Sequence, residues 1–310
     1  MSKLVERESA PDRLPLTKAP ALAVQFFLIP LAVIGMVVLV YGGFRMLLTN
    51  ERTPEEFLQD VQTGGRERRW PAAYELSRML ADPDVESRHP MLGSAIVQAF
   101  SDSEGDDPRV RRYLALAVGR LTNPPTGTVP ALLGGLNDSD TDTKISVIWA
   151  LASLGDPSVK NDIEEMYDSE DAGVRKMTVH ALGSLDFGDG TVLRTALEDP
   201  MADVQWNAAV ALARHGQHDG TKVLGRMLDR EYLERTVTRV QTRDAALDPV
   251  SEVMVTGLQA VAALQSVELA EQVTALSQND VSLSVREAAM RTLALLEPSG
   301  IEPSAAMRHP

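Results

Sequence analysis

One twelve-residue pattern recurs six times, and no other feature of the chain constrains its fold as strongly. The copies are VRRYLALAVGRL (110–121), TKISVIWALASL (143–154), VRKMTVHALGSL (174–185), VQWNAAVALARH (204–215), VMVTGLQAVAAL (253–264) and VREAAMRTLALL (285–296). Their starts lie 33, 31, 30, 49 and 32 residues apart. Self-similarity at a period of about 30 residues marks a stacked-repeat architecture.

Apolar residues at positions 1, 5, 8, 9 and 12 of the pattern follow one helix face. Positions 6 and 10 widen that face, so each helix is expected to pack against neighbours on both sides. Position 8 is Ala in five copies and Thr292 in the sixth. Position 10 is Gly119, Ala152, Gly183, Ala213, Ala262 and Ala294. Two columns of small residues let neighbouring helix axes approach closely. A shorter apolar segment precedes each copy, at 90–100, 128–136, 159–167, 191–197, 221–228 and 269–276. Polar turns such as SDSEGDDP and NDSDTD join the two. One such helix pair cannot bury both of its apolar faces, so pairs must stack. The fold class is therefore all-α, an α-solenoid of about six to seven two-helix repeats.

The Asp-Pro turn followed by V-R and A-L-G-x-L, as in DDPRVRRYLALAVGRL and DAGVRKMTVHALGSL, resembles HEAT repeats. The resemblance is specifically to the subfamily first described in phycobilisome lyases. With a weaker unit at 54–80, whose Arg68, Arg69 and Trp70 look like a cap, it extends over residues 54–298. It implies a concave surface lined by the second helix of each pair. It also implies a ladder in which a turn Asp meets the basic residue at position 2. Here Arg111, Lys144, Arg175 and Arg286 hold that position, and Asp107, Asp142 and Asp171 are candidate partners. The likeness speaks for fold and is nearly silent on function. A bilin-lyase-like enzyme or enzyme subunit is the alternative function it carries.

Residues 21–44, ALAVQFFLIPLAVIGMVVLVYGGF, contain no charge. As one helix they would be about 36 Å long, enough for a hydrocarbon core of about 30 Å. The expected organisation is a disordered tail (1–20), a transmembrane helix (21–48), a HEAT-like solenoid (49–298) and a disordered tail (299–310). Localisation would then be single-pass membrane. Lys3, Arg7, Arg13 and Lys18 favour a cytoplasmic N-terminus with the repeats on the extracytoplasmic side, while Arg45 and Arg52 count toward the opposite topology. An integral membrane complex would be a natural client.

Residues 49–310 hold 25 basic and 41 acidic residues, a net charge of −16. Such a body repels nucleic acid and anionic lipid, so no nucleic-acid partner is expected. The chain has no Cys, which excludes disulfides, thiolate zinc sites and a cysteine nucleophile. The alternating carboxylates of NDSDTDT fail as an EF-hand loop, because Thr143 and Trp149 stand where Gly and Glu are needed. Helix capping is the better account of them. His215 and His218 have a metal-like spacing, but they sit at a Gly-containing repeat end. The His-Glu pairs of the di-iron deoxyhypusine hydroxylases are absent. There is no P-loop, G-x-S-x-G or G-x-G-x-x-G. No catalytic residue, cofactor or metal is assigned, and the reading is a non-enzyme.

Positions 3, 7 and 11 occupy the arc that the apolar columns leave free. Over six repeats they hold five Lys/Arg against one acid, and two of the three Trp. Trp and Arg are the usual interface hot spots. The candidate protein-binding residues are Arg112, Leu116, Ile145, Trp149, Lys176, His180, Trp206, Val210 and Arg214. The expected function is a membrane-anchored interaction scaffold that holds an amphipathic or acidic partner segment on its concave face. One irregularity remains. The interval from 204 to 253 is longer than its neighbours because of REYLERTVTRVQTRDAALDPVSE. That stretch could lengthen a first helix, form a loop on the binding face, or be neutral.

Overall fold

In the computed structural model of the chain, the described residues are 29–48, 52–185, 190–237 and 248–296. The expected tails at 1–20 and 299–310, and residues 238–247 of the insertion, lie outside them. The chain divides into two units, one before Pro54 and one from Pro54 onward.

The first unit contains helix α1 (Ile29–Leu48). Its apolar side chains from Leu31 to Tyr41 are exposed. The single-pass membrane localisation expected from the sequence is corrected here. Among the described residues, no helix is long and apolar enough to cross a membrane. The described part of the helix is Ile29–Leu48, and residues 21–28 lie outside the described residues. The topology argument falls with the span.

The second unit is a run of helix pairs. The first helices are α2 (Pro54–Thr63), α5 (Leu92–Asp102), α7 (Thr128–Gly135), α9 (Lys160–Glu165), α11 (Thr191–Ala196), α13 (Thr221–Met227) and α16 (Ala270–Asn279). The second helices are α3 (Arg66–Met79), α6 (Pro108–Val118), α8 (Thr141–Leu154), α10 (Ala172–Leu182), α12 (Ala202–Arg214), α15 (Pro249–Leu264) and α17 (Leu283–Leu296). Two short helices interrupt the alternation, α4 (Pro83–Arg88) and α14 (Arg230–Thr236). Among the described residues there are seven pairs. The six twelve-residue copies all fall on second helices, and each preceding apolar segment forms a first helix.

Second helices pack closely on one another, while successive first helices touch less. Tighter spacing on one layer curves a solenoid toward that layer, which makes the second helices its inner wall. The small-residue columns explain the spacing. A Cβ built on Gly119 would lie 2.6 Å from Ala150 Cα, and one on Gly183 would lie 2.6 Å from Ala211 Cβ. Position 10 of one repeat therefore meets position 8 of the next. The apolar columns do the rest: Val110, Val174, Val204 and Val285 at position 1 are each no more than 1% exposed.

The acidic turns start the helices. Asp107 accepts a hydrogen bond from Arg109 N–H, Asp140 from Thr143 N–H and Asp171 from Val174 N–H. Each satisfies a donor that the first helical turn leaves free. Pro108 and Pro249 stand in the first turns of α6 and α15, where a missing N–H costs nothing.

A ladder between repeats is present, with partners other than those the resemblance implied. Asp107 and Asp171 cap their own helices. Arg111 instead meets Asp138 at 2.5 Å, and its guanidinium lies 4.6 Å above the Phe100 ring. Arg175 grips Asp199 with two hydrogen bonds, 2.8 and 3.1 Å. Arg230 grips Asp280 at 3.0 and 2.7 Å, and Arg69 holds Asp106. The acids stand in the turn after the next first helix, so each rung ties two structural segments together. Burial alone would raise the pKa of Asp199. Arg175, Met201 N–H and the Tyr167 hydroxyl outweigh it, and the net shift is downward. The same contact and burial push Tyr167 up to about 12.

Candidate functional site

A cleft of about 560 Å3 opens on the inner wall where the repeat spacing breaks. Three second helices build it. Helix α10 contributes Lys176 and His180, α12 contributes residues from Asp203 to Arg214, and α15 contributes residues from Pro249 to Thr256. On α12 the lining residues run Asp203, Trp206, Asn207, Val210, Ala211, Arg214, which is i, i+3, i+4, i+7, i+8, i+11 spacing on one helix face. Met227 closes the floor from α13. Val237 and Pro249, on either side of residues 238–247, both border the cleft.

The floor is apolar. Trp206 is 7% exposed, and Val210 and Val253 are half-buried beside it. Trp206 Nε1 is buried without a hydrogen-bond partner among the described residues. The rim is charged. Lys176 Nζ pairs with Asp203 at 3.1 Å, which neutralises one of the cations. Arg214 and Glu252 are exposed and carry no ion pair among the described residues. His180 is exposed, yet enough protein surrounds it that desolvation lowers its pKa below 6.5. The neighbouring Arg214 and Lys176 lower it further. The ring is therefore neutral at pH 7.

Five of the nine residues expected at an interface come together here: Lys176, His180, Trp206, Val210 and Arg214. The other four lie on the preceding repeats and do not enter the cleft. Arg112 is half-buried and pairs with Asp142 at 2.7 Å. Leu116 and Ile145 are half-buried. Trp149 packs against the Gly119 backbone, where a Cβ would lie 2.9 Å from the indole ring. Arg120 lies 5.8 Å over that ring and donates to Ser77 O. The stripe is thus less basic than its composition, because Asp142 and Asp203 stand against it from the first turn of the next helix.

Asp203, Asn207, Glu252, Val253 and Thr256 also line the cleft, and sequence reasoning missed them. Asp203 and Asn207 lie four apart on the same face as Val210 and Arg214, a signal the twelve-residue frame hid by starting at Val204. On α15 the lining residues sit in the first two turns, which begin four residues before the aligned copy at Val253.

Residues 94–183 match the family model of HEAT repeats. The match spans α5 to α10, and the regular stacking continues beyond it to α17. No curated protein matches the sequence. Among solved structures, a chain from the complex of CpcE and CpcF of phycocyanin lyase from Nostoc sp. PCC7120 is similar, with 18% identity and a TM-score of 0.50 over 79% of this chain and 95% of that one. A designed armadillo repeat protein in complex with the peptide (KR)4 is similar over 79% of this chain and all of that one, with 14% identity and a TM-score of 0.40. Human deoxyhypusine hydroxylase in complex with glycerol matches at 18% identity and a TM-score of 0.34, over 79% and 96%. The first of these likenesses supports the helical-repeat fold and no chemistry. Among the described residues, no group of three or more His, Cys, Asp or Glu side chains is placed to hold a metal ion.

Proposed function

We propose that the chain is a protein-interaction scaffold that holds a segment of a partner protein in the cleft between α10, α12 and α15. One observation carries this reading. An apolar floor of Trp206, Val210 and Val253 lies directly beside Arg214, an exposed cation with no ion pair among the described residues. Such a site suits a bulky apolar side chain with a carboxylate next to it. The apolar group leaves water on the floor, and the carboxylate meets the guanidinium in a charge-assisted, bidentate contact. Lys176, already paired with Asp203, contributes less. Arg112, Leu116, Ile145 and Trp149 continue the same inner wall, and we include them as the track along which a longer segment runs.

The test is a crosslinking pull-down comparing wild type with Val210→Asp and Arg214→Glu, with circular dichroism on each variant. Partners that both folded variants lose are cleft clients. Partners retained by both contradict the reading. The competing reading, a bilin-lyase-like enzyme or subunit, draws on fold likeness alone. It requires a linear tetrapyrrole to bind, so an unchanged absorbance spectrum on mixing the full chain with bilin would exclude it.

A further inference from the structure

The first and last helix pairs among the described residues are finished differently. A terminal repeat normally presents a polar outer face, because no neighbour covers it. The first pair, α2 and α3, obeys: its exposed residues are polar or charged, Glu55, Glu56, Arg66, Glu67 and Arg68 among them, with Tyr74 the exception. The last second helix, α17, does not. At position 6 of the repeat, the side chains of the five earlier copies, from Ala115 to Leu258, are fully buried under the next helix. The sixth, Met290, is 52% exposed. Ala294, at the position where Gly119 and Gly183 receive a neighbouring helix, is exposed as well. Leu283 and Leu295 complete an uncovered apolar stripe. Glu287 and Arg291 lie within it, and neither carries an ion pair among the described residues.

We infer that this stripe is the interface of a two-fold dimer, in which α17 of one copy packs antiparallel on α17 of the other. In an antiparallel helix pair, residues whose numbers sum to a constant lie at the same height. An axis near residue 289 sets Glu287 of each copy level with Arg291 of the other. The same axis sets Leu283 level with Leu295 and brings the two Met290 side chains together. Opposite charges meet, apolar groups meet, and small Ala294 leaves room for close approach. The stripe is self-complementary, as an isologous contact demands. Reciprocal charged pairs flanking an apolar seam are the arrangement that fixes orientation in paired helices. A head-to-tail contact lacks this match, because the polar face of α2 and α3 offers only Tyr74 to the apolar stripe of α17.

The absence of cysteine makes the test clean. In the full-length chain, Met290→Cys under mild oxidation crosslinks to itself. Leu283→Cys alone and Leu295→Cys alone do not, while an equal mixture of the two does. By sedimentation, Glu287→Arg and Arg291→Glu each weaken the dimer about tenfold, by like-charge juxtaposition across the axis. The double exchange Glu287→Arg/Arg291→Glu restores it. A chain that stays monomeric up to about 100 μM, a weak affinity by any standard, overturns the inference. So does a dimer in which Met290→Cys fails to crosslink or the double exchange fails to rescue. Either result would place α17 under another cover, such as residues 297–310 or a different protein.

Discussion

Gly183 faces Ala211 so closely that a single added carbon would stand 2.6 Å from the Ala211 Cβ. The contact joins α10 to α12, the two helices that form one side of the cleft. Gly183→Leu must push these helices apart, and overpacking of this kind costs about 1–3 kcal/mol. A lower urea midpoint with retained helicity is the expected outcome. Gly134, on α7, has open space around its Cβ position. Gly134→Ala is expected to leave stability unchanged or raise it by up to about 1 kcal/mol.

The Arg175–Asp199 rung is buried on its acidic side, with the Asp199 side chain 1% exposed. Arg175→Ala strands that carboxylate, along with the carbonyls of Ser169 and Glu170 that Arg175 also serves. Removing one partner of a buried pair costs about 3–5 kcal/mol. By contrast, Arg235→Ala breaks an exposed pair with Glu231, and such pairs contribute about 0–1 kcal/mol. Thermal melts of the two variants should differ clearly.

The same rung sets an acid limit. The folded pKa of Asp199 lies below 3.8. The unfolded chain thus binds that proton more readily, and stability falls as pH drops below about 3.8. Above that value the contribution is complete. Asp199→Asn is expected to be less stable at pH 7 and to show a shallower loss of stability between pH 4 and pH 2, a span set by the carboxylate range.

His180 titrates the other way in charge but with the same sense in pH. Its folded pKa is lowered, so the folded state resists protonation and loses stability as pH falls below 6.5. Arg214→Gln removes one neighbouring cation. The His180 ring resonances, followed by NMR, should then titrate at higher pH than in the wild type. A bound carboxylate should shift them the same way.

The repeats were legible because stacking imposes a strict column of side chains, one set per pair. Gly119, Gly183 and the Ala column at position 8 stood out in the sequence as small-residue columns, although which column meets which is seen only in the fold. The ladder was legible only by half. Arg111 and Arg175 were found from their position, but Asp138 and Asp199 were not, since their turns follow the next first helix rather than precede the arginines. The site was blurred for a related reason. A single helix frame shows which residues face inward, but it cannot show that Asp142 and Asp203 lean back across the groove to Arg112 and Lys176. Nor can it show how far the interval after α14 shifts α15. Absence of charge over 21–44 does not by itself make a membrane span, and among the described residues no helix is long and apolar enough to cross one.

The central claim is that the cleft beside Arg214 holds a partner segment through an apolar group and a carboxylate. Selection of a random peptide-display library on the full-length chain tests it most directly, run in parallel on wild type and Arg214→Glu. Wild type is expected to enrich peptides with an acidic residue next to a bulky apolar one, and Arg214→Glu to lose them by about tenfold or more. Enrichment that is the same on both proteins, or no enrichment on either, would contradict it.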